Sequence, residues 1–276
     1  MLIWEILKTI LLGIVEGITE WLPISSTGHM ILFNEFLSLD VSPAFWELFE
    51  VVIQLGAILA VIVLFFRKLN PFSPSKSKGE KKDTWTLWFR IILAVLPSAV
   101  IGLLLDDWFT EHFYNYTVVA IALIVYGIGF IIIEKLRQNK PVRVDCMEAI
   151  GWKDALMIGC FQILAIIPGT SRSGSTILGA MLFGLSRTAA AEFSFYLAIP
   201  TMAGASLLKG VKFFMDGNTI GSSEWIILLV GCVTAFLVSM LVIRYLMDYV
   251  RRHSFSAFGI YRIVLGILVL GYFMFV

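Results

Sequence analysis

Ser25-Ser26-Thr27-Gly28-His29-Met30-Ile31-Leu32 has a second version in the other half of the chain, Ser171-Arg172-Ser173-Gly174-Ser175-Thr176-Ile177-Leu178. Each follows a proline, Pro23 or Pro168. Each also precedes a helix opening near a glutamate, Glu50-Val-Val-Ile-Gln54 or Glu192-Phe-Ser-Phe-Tyr196. Both interrupt apolar segments, 1–40 and 154–186, with Pro, Gly, Ser and Thr near their middles. Irregular backbone survives at membrane depth only where it is buried in protein or lines a watery cavity. The two segments therefore predict re-entrant helix–loop–helix hairpins.

The composition around them belongs to a bilayer. Of 276 residues 59% are hydrophobic and 15% charged, against roughly 25% charged in soluble domains, and the mean hydropathy is +0.89. Beyond the hairpins, apolar stretches near 44–66, 88–105, 117–133, 189–208, 225–243 and 257–275 are long enough to cross a membrane, which takes about 17–25 helical residues. The expected fold is an all-α integral membrane protein with six transmembrane helices plus two re-entrant hairpins. The net charge of +1 argues against a nucleic-acid surface. Cys146, Cys160 and Cys232 lack metal-ligand spacing and read as unpaired thiols. The first 22 residues carry Glu5, Lys8, Glu16 and Glu20 and make a poor signal peptide.

Lys and Arg set the expected orientation. Loop 67–90 carries Arg67, Lys68, Lys76, Lys78, Lys81, Lys82 and Arg90; loop 134–153 is also basic, and 244–262 holds Arg244, Arg251, Arg252 and Arg262. Segment 106–116 has Asp106, Asp107 and Glu111 without a basic residue, and 209–224 has only Lys209 and Lys212. The basic loops face the cytoplasm, which leaves both termini outside; the 1–40 hairpin then enters from the outer face and the 154–186 hairpin from the inner. One hairpin plus three spans per half inserts the second half upside down. A single membrane domain, 1–276, is expected, with inverted halves of approximately 1–133 and 154–276 and a cytoplasmic linker, 134–153. Such repeats with broken helices build their site where the repeats meet.

Glu16 and Glu20 stand four apart, so a helix places both carboxylates on one face. An ionised side chain inside a bilayer costs roughly 2.5–3.5 kcal/mol even on the lenient scale. A bland reading is an interfacial helix with its polar side in water; the functional one is a divalent-cation or proton-transfer site, since hard cations take carboxylate oxygens and substrate phosphates. Ser25, Ser26 and Thr27 cluster in the break that follows, where a helix N-terminus offers an anion site. A single serine there would read as an N-cap. Three hydroxyls with His29, a candidate acid or base, read as chemistry. Arg172 lies mid-hairpin among Thr170, Ser171, Ser173, Ser175 and Thr176, and a guanidinium matches phosphate oxygens two-pronged. Its bland reading is a salt bridge to Glu16, Glu20, Glu50 or Glu192. Glu50, Gln54 and Glu192 read either as groups orienting the hydroxyls and Arg172 or as helix-start residues. The eight tryptophans mostly flank span ends and read there as interfacial anchors; His112 and His253 receive no role. Together the hairpins supply the parts phosphoryl transfer needs. No Walker A loop is present.

At these residues the chain resembles the bacterial undecaprenyl-pyrophosphate phosphatases, also called the bacitracin-resistance proteins. Glu16-Gly-Ile-Thr-Glu20 is similar to their ExxxE motif and is followed by Pro23-Ile-Ser-Ser-Thr-Gly-His29. Pro168-Gly-Thr-Ser-Arg-Ser-Gly-Ser-Thr176 is similar to their PGxSRSxxT motif, and Glu50-Val-Val-Ile-Gln-Leu-Gly56 and Glu192-Phe-Ser-Phe also agree. The resemblance implies metal-assisted hydrolysis of undecaprenyl diphosphate to the monophosphate in the bacterial inner membrane, recycling the carrier for peptidoglycan and conferring bacitracin resistance. The implied active site opens toward the periplasm. Glu16 and Glu20 would hold Mg²⁺ or Ca²⁺ or tune the base, Ser26 is the implied nucleophile, and His29 is a nearby acid or base. Arg172, with Ser171, Ser173 and Thr176 and with Ser25 and Thr27 opposite, would grip the pyrophosphate. Attack by Ser26 and attack by a metal-bound water both remain open, as does the step in which His29 acts. Expected partners are the polyprenyl pyrophosphate, membrane lipids and, as an open expectation, a second copy in a homodimer. The main rival is a transporter or flippase, since inverted repeats with opposed hairpins are transporter-like.

Overall fold

Helix α1 (Leu2–Thr19) stops just before Glu20, and the chain runs through Pro23 as turns before α2 (Ser26–Leu37) begins. A computed structural model describes residues 2–113 and 115–275; the side chains of Asp106, Asp107, Thr110 and Phe275 are not described. There follow α3 (Pro43–Leu64), the short α4 (Phe66–Leu69), α5 (Lys78–Phe113), α6 (Tyr116–Arg137), α7 (Trp152–Gln162), α8 (Arg172–Leu182), α9 (Arg187–Met215), α10 (Ser222–Arg252) and α11 (Ser256–Phe275). Among the described residues the non-helical pairing is one isolated parallel bridge, Val144 with Leu185.

Local chemistry sets the starts. Ser42 caps α3 by accepting from Phe45 N, and Pro43 occupies the first turn, where a missing N–H costs nothing. Asn115 caps α6 and Ser186 caps α9 in the same way. The two apolar interruptions are indeed helix–break–helix units: α1 with α2, and α7 with α8 joined through a 3₁₀ turn at Ile163–Ile166.

Among the described residues five helices, α3, α5, α6, α10 and α11, are long and apolar enough to cross a membrane. The chain is a multi-pass membrane protein. Helix α9 is 29 residues long but carries Arg187, Glu192, Pro200, Lys209 and Lys212; it is not among the five. The helices exceed their apolar stretches. Helix α5 continues to Phe113, so the segment expected as a loop at 106–116 is mostly the end of a helix; of its acids, only Glu111 falls among the described side chains. Likewise, Arg244 lies inside α10 and Arg262 inside α11, leaving Arg251 and Arg252 next to the turn between them. Arg262 is fully buried, so it is no loop charge. Linker 134–153 is tied to the body: Glu134 takes Arg187 through both carboxylate oxygens and also accepts from Phe255 N at 2.7 Å, and Arg143 pairs with Asp154.

Packing crosses between the halves. Helix α1 lies along α10 and α7 along α5, while α3 packs on α9 and α6 on α11. At the α6–α11 crossing two glycines meet: a Cβ on Gly127 would stand 2.6 Å from Gly259 O, and one on Gly259 2.7 Å from Gly127 O. Small residues let membrane helices approach to backbone contact, and this crossing brings Arg262, less than a turn beyond Gly259, against α6. The largest core runs through α3, α8 and α9, with Phe193, Phe195 and Tyr196 fully buried. Trp21 belongs to it; it packs edge-on against Phe195 at 5.3 Å and is not an interfacial anchor.

Candidate active site

Both breaks use one backbone device. Ser25 has φ +75° and Ser171 φ +74°, left-handed values that L-residues rarely adopt. Each serine hydroxyl then accepts from the N–H three residues on, Gly28 or Gly174, capping α2 and α8. A strained residue held by its surroundings is the kind of outlier found at ligand-binding sites. The strain turns the first residues of the two helices, Ser26 and Arg172, toward Glu20.

Glu20 is the junction. Its Oε2 accepts from Ser26 Oγ at 2.7 Å, and its Oε1 accepts from Arg172 Nη2 at 3.0 Å. Ser173 Oγ donates to the backbone oxygens of Glu20 and Leu22, at 3.0 and 3.3 Å, locking one break onto the other. Arg172 Nη1 donates to Ser194 O at 2.7 Å. Its Nε is buried without an acceptor.

Beside this junction lies a cavity of about 200 Å³, with Glu16, Thr27, Glu50 and Gln54 on one side and Ile166 and Pro168 of the second break on the other. Glu16 is 1% exposed, and its Oε1 has no hydrogen-bond partner. A buried carboxylate oxygen left bare is costly, so the cavity suits a ligand that Glu16 can satisfy. Oxygen donors from Glu16, Glu50, Thr27 and Gln54 fit a hard divalent cation. Among the described residues no three His, Cys, Asp or Glu side chains converge. These groups would make up only part of a coordination sphere, the kind taken by a cation that keeps water and binds phosphate oxygens.

Several expected roles change. Glu20 is engaged by Ser26 and Arg172, while Glu16 lines the cavity together with Glu50. His29 does not meet Ser26: its Nδ1 lies 2.7 Å from Ser25 O and its Nε2 2.7 Å from Tyr261 Oη. The Ser25 carbonyl can only accept, so Nδ1 carries the hydrogen and Nε2 accepts from Tyr261. The hydroxyls expected to bind phosphate are mostly spent on the protein. Ser25 and Ser171 are caps. Ser173 bridges the breaks, and Thr176 donates to Arg172 O at 2.9 Å and pairs with Ser194 Oγ at 2.7 Å. Thr27 alone of that group lines the cavity. Glu192 is not beside Arg172; it is bound by Lys68 at 2.5 Å and by Tyr196. Helix α9 instead supplies Ser194, which the sequence reading passed over although it stands in the Glu192-Phe-Ser-Phe stretch. Tyr261 and Arg262 were also missed, since neither has a motif of its own.

An all-helical membrane protein that sets a serine on a carboxylate, with an arginine on the other oxygen and an acidic cavity alongside, is of the class built to act on an anionic group within the bilayer. The family described as Bacitracin resistance protein BacA matches residues 9–268. A protein of Enterococcus faecalis named undecaprenyl-diphosphatase is 57% identical over 275 residues, 100% of each chain. Those so named from Limosilactobacillus fermentum and Lactiplantibacillus plantarum are 58% and 55% identical over 269 residues, 98% of each chain. The chain belongs to the bacitracin-resistance protein family.

Proposed function

We infer that the chain is an undecaprenyl-diphosphatase: it hydrolyses undecaprenyl diphosphate to undecaprenyl phosphate and inorganic phosphate, returning the lipid carrier to cell-wall synthesis. Full-length identity of 55–58% to proteins of that name supports this. The observation that carries the mechanism is the Glu20 junction, where one carboxylate holds both the Ser26 hydroxyl and the Arg172 guanidinium.

In this mechanism Ser26 Oγ attacks the terminal phosphorus while Glu20 takes its proton. The bond from that phosphorus to the bridging oxygen breaks, and undecaprenyl phosphate leaves. Glu20 gives up that proton as undecaprenyl phosphate departs; water then attacks the phosphoseryl phosphorus while Glu20 takes its proton and returns it to Ser26 Oγ as inorganic phosphate leaves. Arg172, through its unpaired Nε–H, holds a phosphate oxygen as charge develops, a contact that strengthens toward the transition state. Glu16 and Glu50, with Thr27 and Gln54, would hold Mg²⁺ or Ca²⁺, which offsets pyrophosphate charge when bound. His29, held between Ser25 O and Tyr261 Oη, orders the first break; it does not activate Ser26.

The repeat reading extends the architecture. The matched positive-φ serines and the paired packing of α1 on α10 and α7 on α5 support two inverted halves. In that arrangement α9 is the sixth span, the two hairpins are re-entrant, and the site opens to the outer face of the inner membrane. A thiol at Glu111 should label from outside and one at Lys78 should not; the reverse pattern would refute the orientation.

The decisive assay supplies the purified protein in detergent with a polyprenyl diphosphate and Mg²⁺ or Ca²⁺ and measures inorganic phosphate. Release is expected. No release, combined with lipid movement in proteoliposomes, would make the chain a transporter. For Ser26→Ala the phosphoseryl species should vanish together with turnover; full turnover without Ser26 would assign the attack to water.

A further inference from the structure

Arg262 is fully buried in α11, within reach of the site yet outside the cavity. A guanidinium at such depth is normally matched by a carboxylate. Among the described residues none pairs with it. Its donors go to backbone carbonyls: Nη1 to Pro23 O at 3.1 Å, and Nη2 to Gly169 O at 2.8 Å and Thr170 O at 2.9 Å. Longer contacts reach Leu123 O at 3.4 Å and Ala122 O at 3.5 Å in α6, and the Tyr126 ring lies 5.6 Å away.

These acceptors are telling. Pro23 belongs to the first break and precedes Ser26 by three residues; Thr170 belongs to the second and precedes Arg172 by two. Both breaks leave carbonyls without helical partners, and buried carbonyls must find donors. The five N–H groups of an arginine form a rigid fork able to serve several at fixed angles. The second break is also pressed onto α6, since Gly169 has φ +86° and a Cβ there would stand 2.5 Å from Val119 O. Ser173 links the breaks on the Glu20 side; Arg262 links them from beneath, against α6.

We propose that Arg262 is a positioning residue for the phosphatase reaction: by holding the carbonyls of Pro23, Gly169 and Thr170 in one fork, it fixes Ser26 and Glu20 in register with Arg172. This rests on the phosphatase reading. A lysine would keep the charge and lose the fork, and a methionine would lose both. Misplacing reacting groups by about 1 Å costs about 10²-fold in rate, while the cavity that takes the head group is left in place.

The test measures kcat and KM for phosphate release by wild type, Arg262→Lys and Arg262→Met, each normalised to folded protein by size-exclusion profile and thermal midpoint. For Arg262→Lys the expectation is a fall in kcat on the order of 10²-fold with KM little changed, so retained charge does not rescue. A purely structural role would lower the yield or midpoint and leave kcat per folded molecule at the wild-type value. That result overturns the proposal, as does full rescue by lysine. If neither variant folds, Tyr126→Leu loosens the guanidinium without removing it. It should lower kcat roughly two- to fivefold at unchanged KM, and a wild-type kcat there would equally overturn the proposal. Failure of the wild type to release phosphate refutes the underlying reading instead, so the two failures are distinguishable.

Discussion

The two breaks share a backbone and differ in nearly every side chain that matters. Both run through a proline into a serine with φ near +75° that caps the next helix through a glycine N–H. In the same sequence register, however, Glu16 corresponds to Gln162, Ser26 to Arg172 and His29 to Ser175. Gln162 is a satisfied core amide, donating to Ser98 Oγ at 2.6 Å and Thr201 Oγ1 at 3.3 Å. Ser175 turns back to Arg172 O at 3.1 Å. One level on, Glu50 and Gln54 face the cavity, whereas Glu192 and Tyr196 bind each other and Lys68. The two breaks share one backbone scaffold, on which one carries an acid and a hydroxyl and the other a cation. The site at the junction is composite, and neither break holds the chemistry alone.

That contrast can be broken from either side. Glu20→Gln removes the base from the acidic break and should lower kcat for phosphate release by about 10²–10⁴-fold; near-normal turnover would dismiss Glu20 as base. Arg172→Ala removes the cation of the other break. A charge-assisted contact contributes about 1.5–3 kcal/mol, so phosphate release should fall roughly ten- to 150-fold, with KM for the diphosphate rising as well. Gln162→Glu restores the acidic residue to the second break and should create no second activity. Its expected effect is on stability, about 1–3 kcal/mol lost as buried donors disappear, read as a lower thermal midpoint at unchanged specific activity. Smallest is Lys68→Met. The Lys68 side chain is 58% exposed and Tyr196 still serves Glu192, so the cost should be at most about 1 kcal/mol with turnover unaffected.

Backbone features were the most legible in the sequence. Pro23, Gly28, Pro168 and Gly174 announce breaks through local sterics alone, and hydropathy gives the helices. The Glu20–Arg172 pair was legible only as one option of the bland reading, a salt bridge from Arg172 to one of four glutamates, since buried charges are expensive in lipid. The hydroxyls were not legible, because whether Ser173 or Thr176 meets a ligand or a carbonyl depends on which backbone lies opposite. The end of α5 was obscured by its charges: Glu111 reads as loop in a hydropathy scan but sits comfortably on a helix that outruns its apolar stretch. Arg262 was misassigned as a loop charge because it follows Arg251 and Arg252 closely. Only the Gly127–Gly259 crossing reveals that α11 carries it inward to α6. His29 went to Tyr261 for the same reason: its partner is distant in sequence and carries no motif.

The account stands on the union of the two breaks in one reacting centre, and a double-mutant cycle for phosphate release tests it most directly. If Glu20 and Arg172 act on the same phosphate, Glu20→Gln with Arg172→Ala should lose little more activity than the worse single variant, a coupling of about 0.5–3 kcal/mol. Losses that simply multiply would mean the two residues serve separate sites, and the composite centre would be refuted.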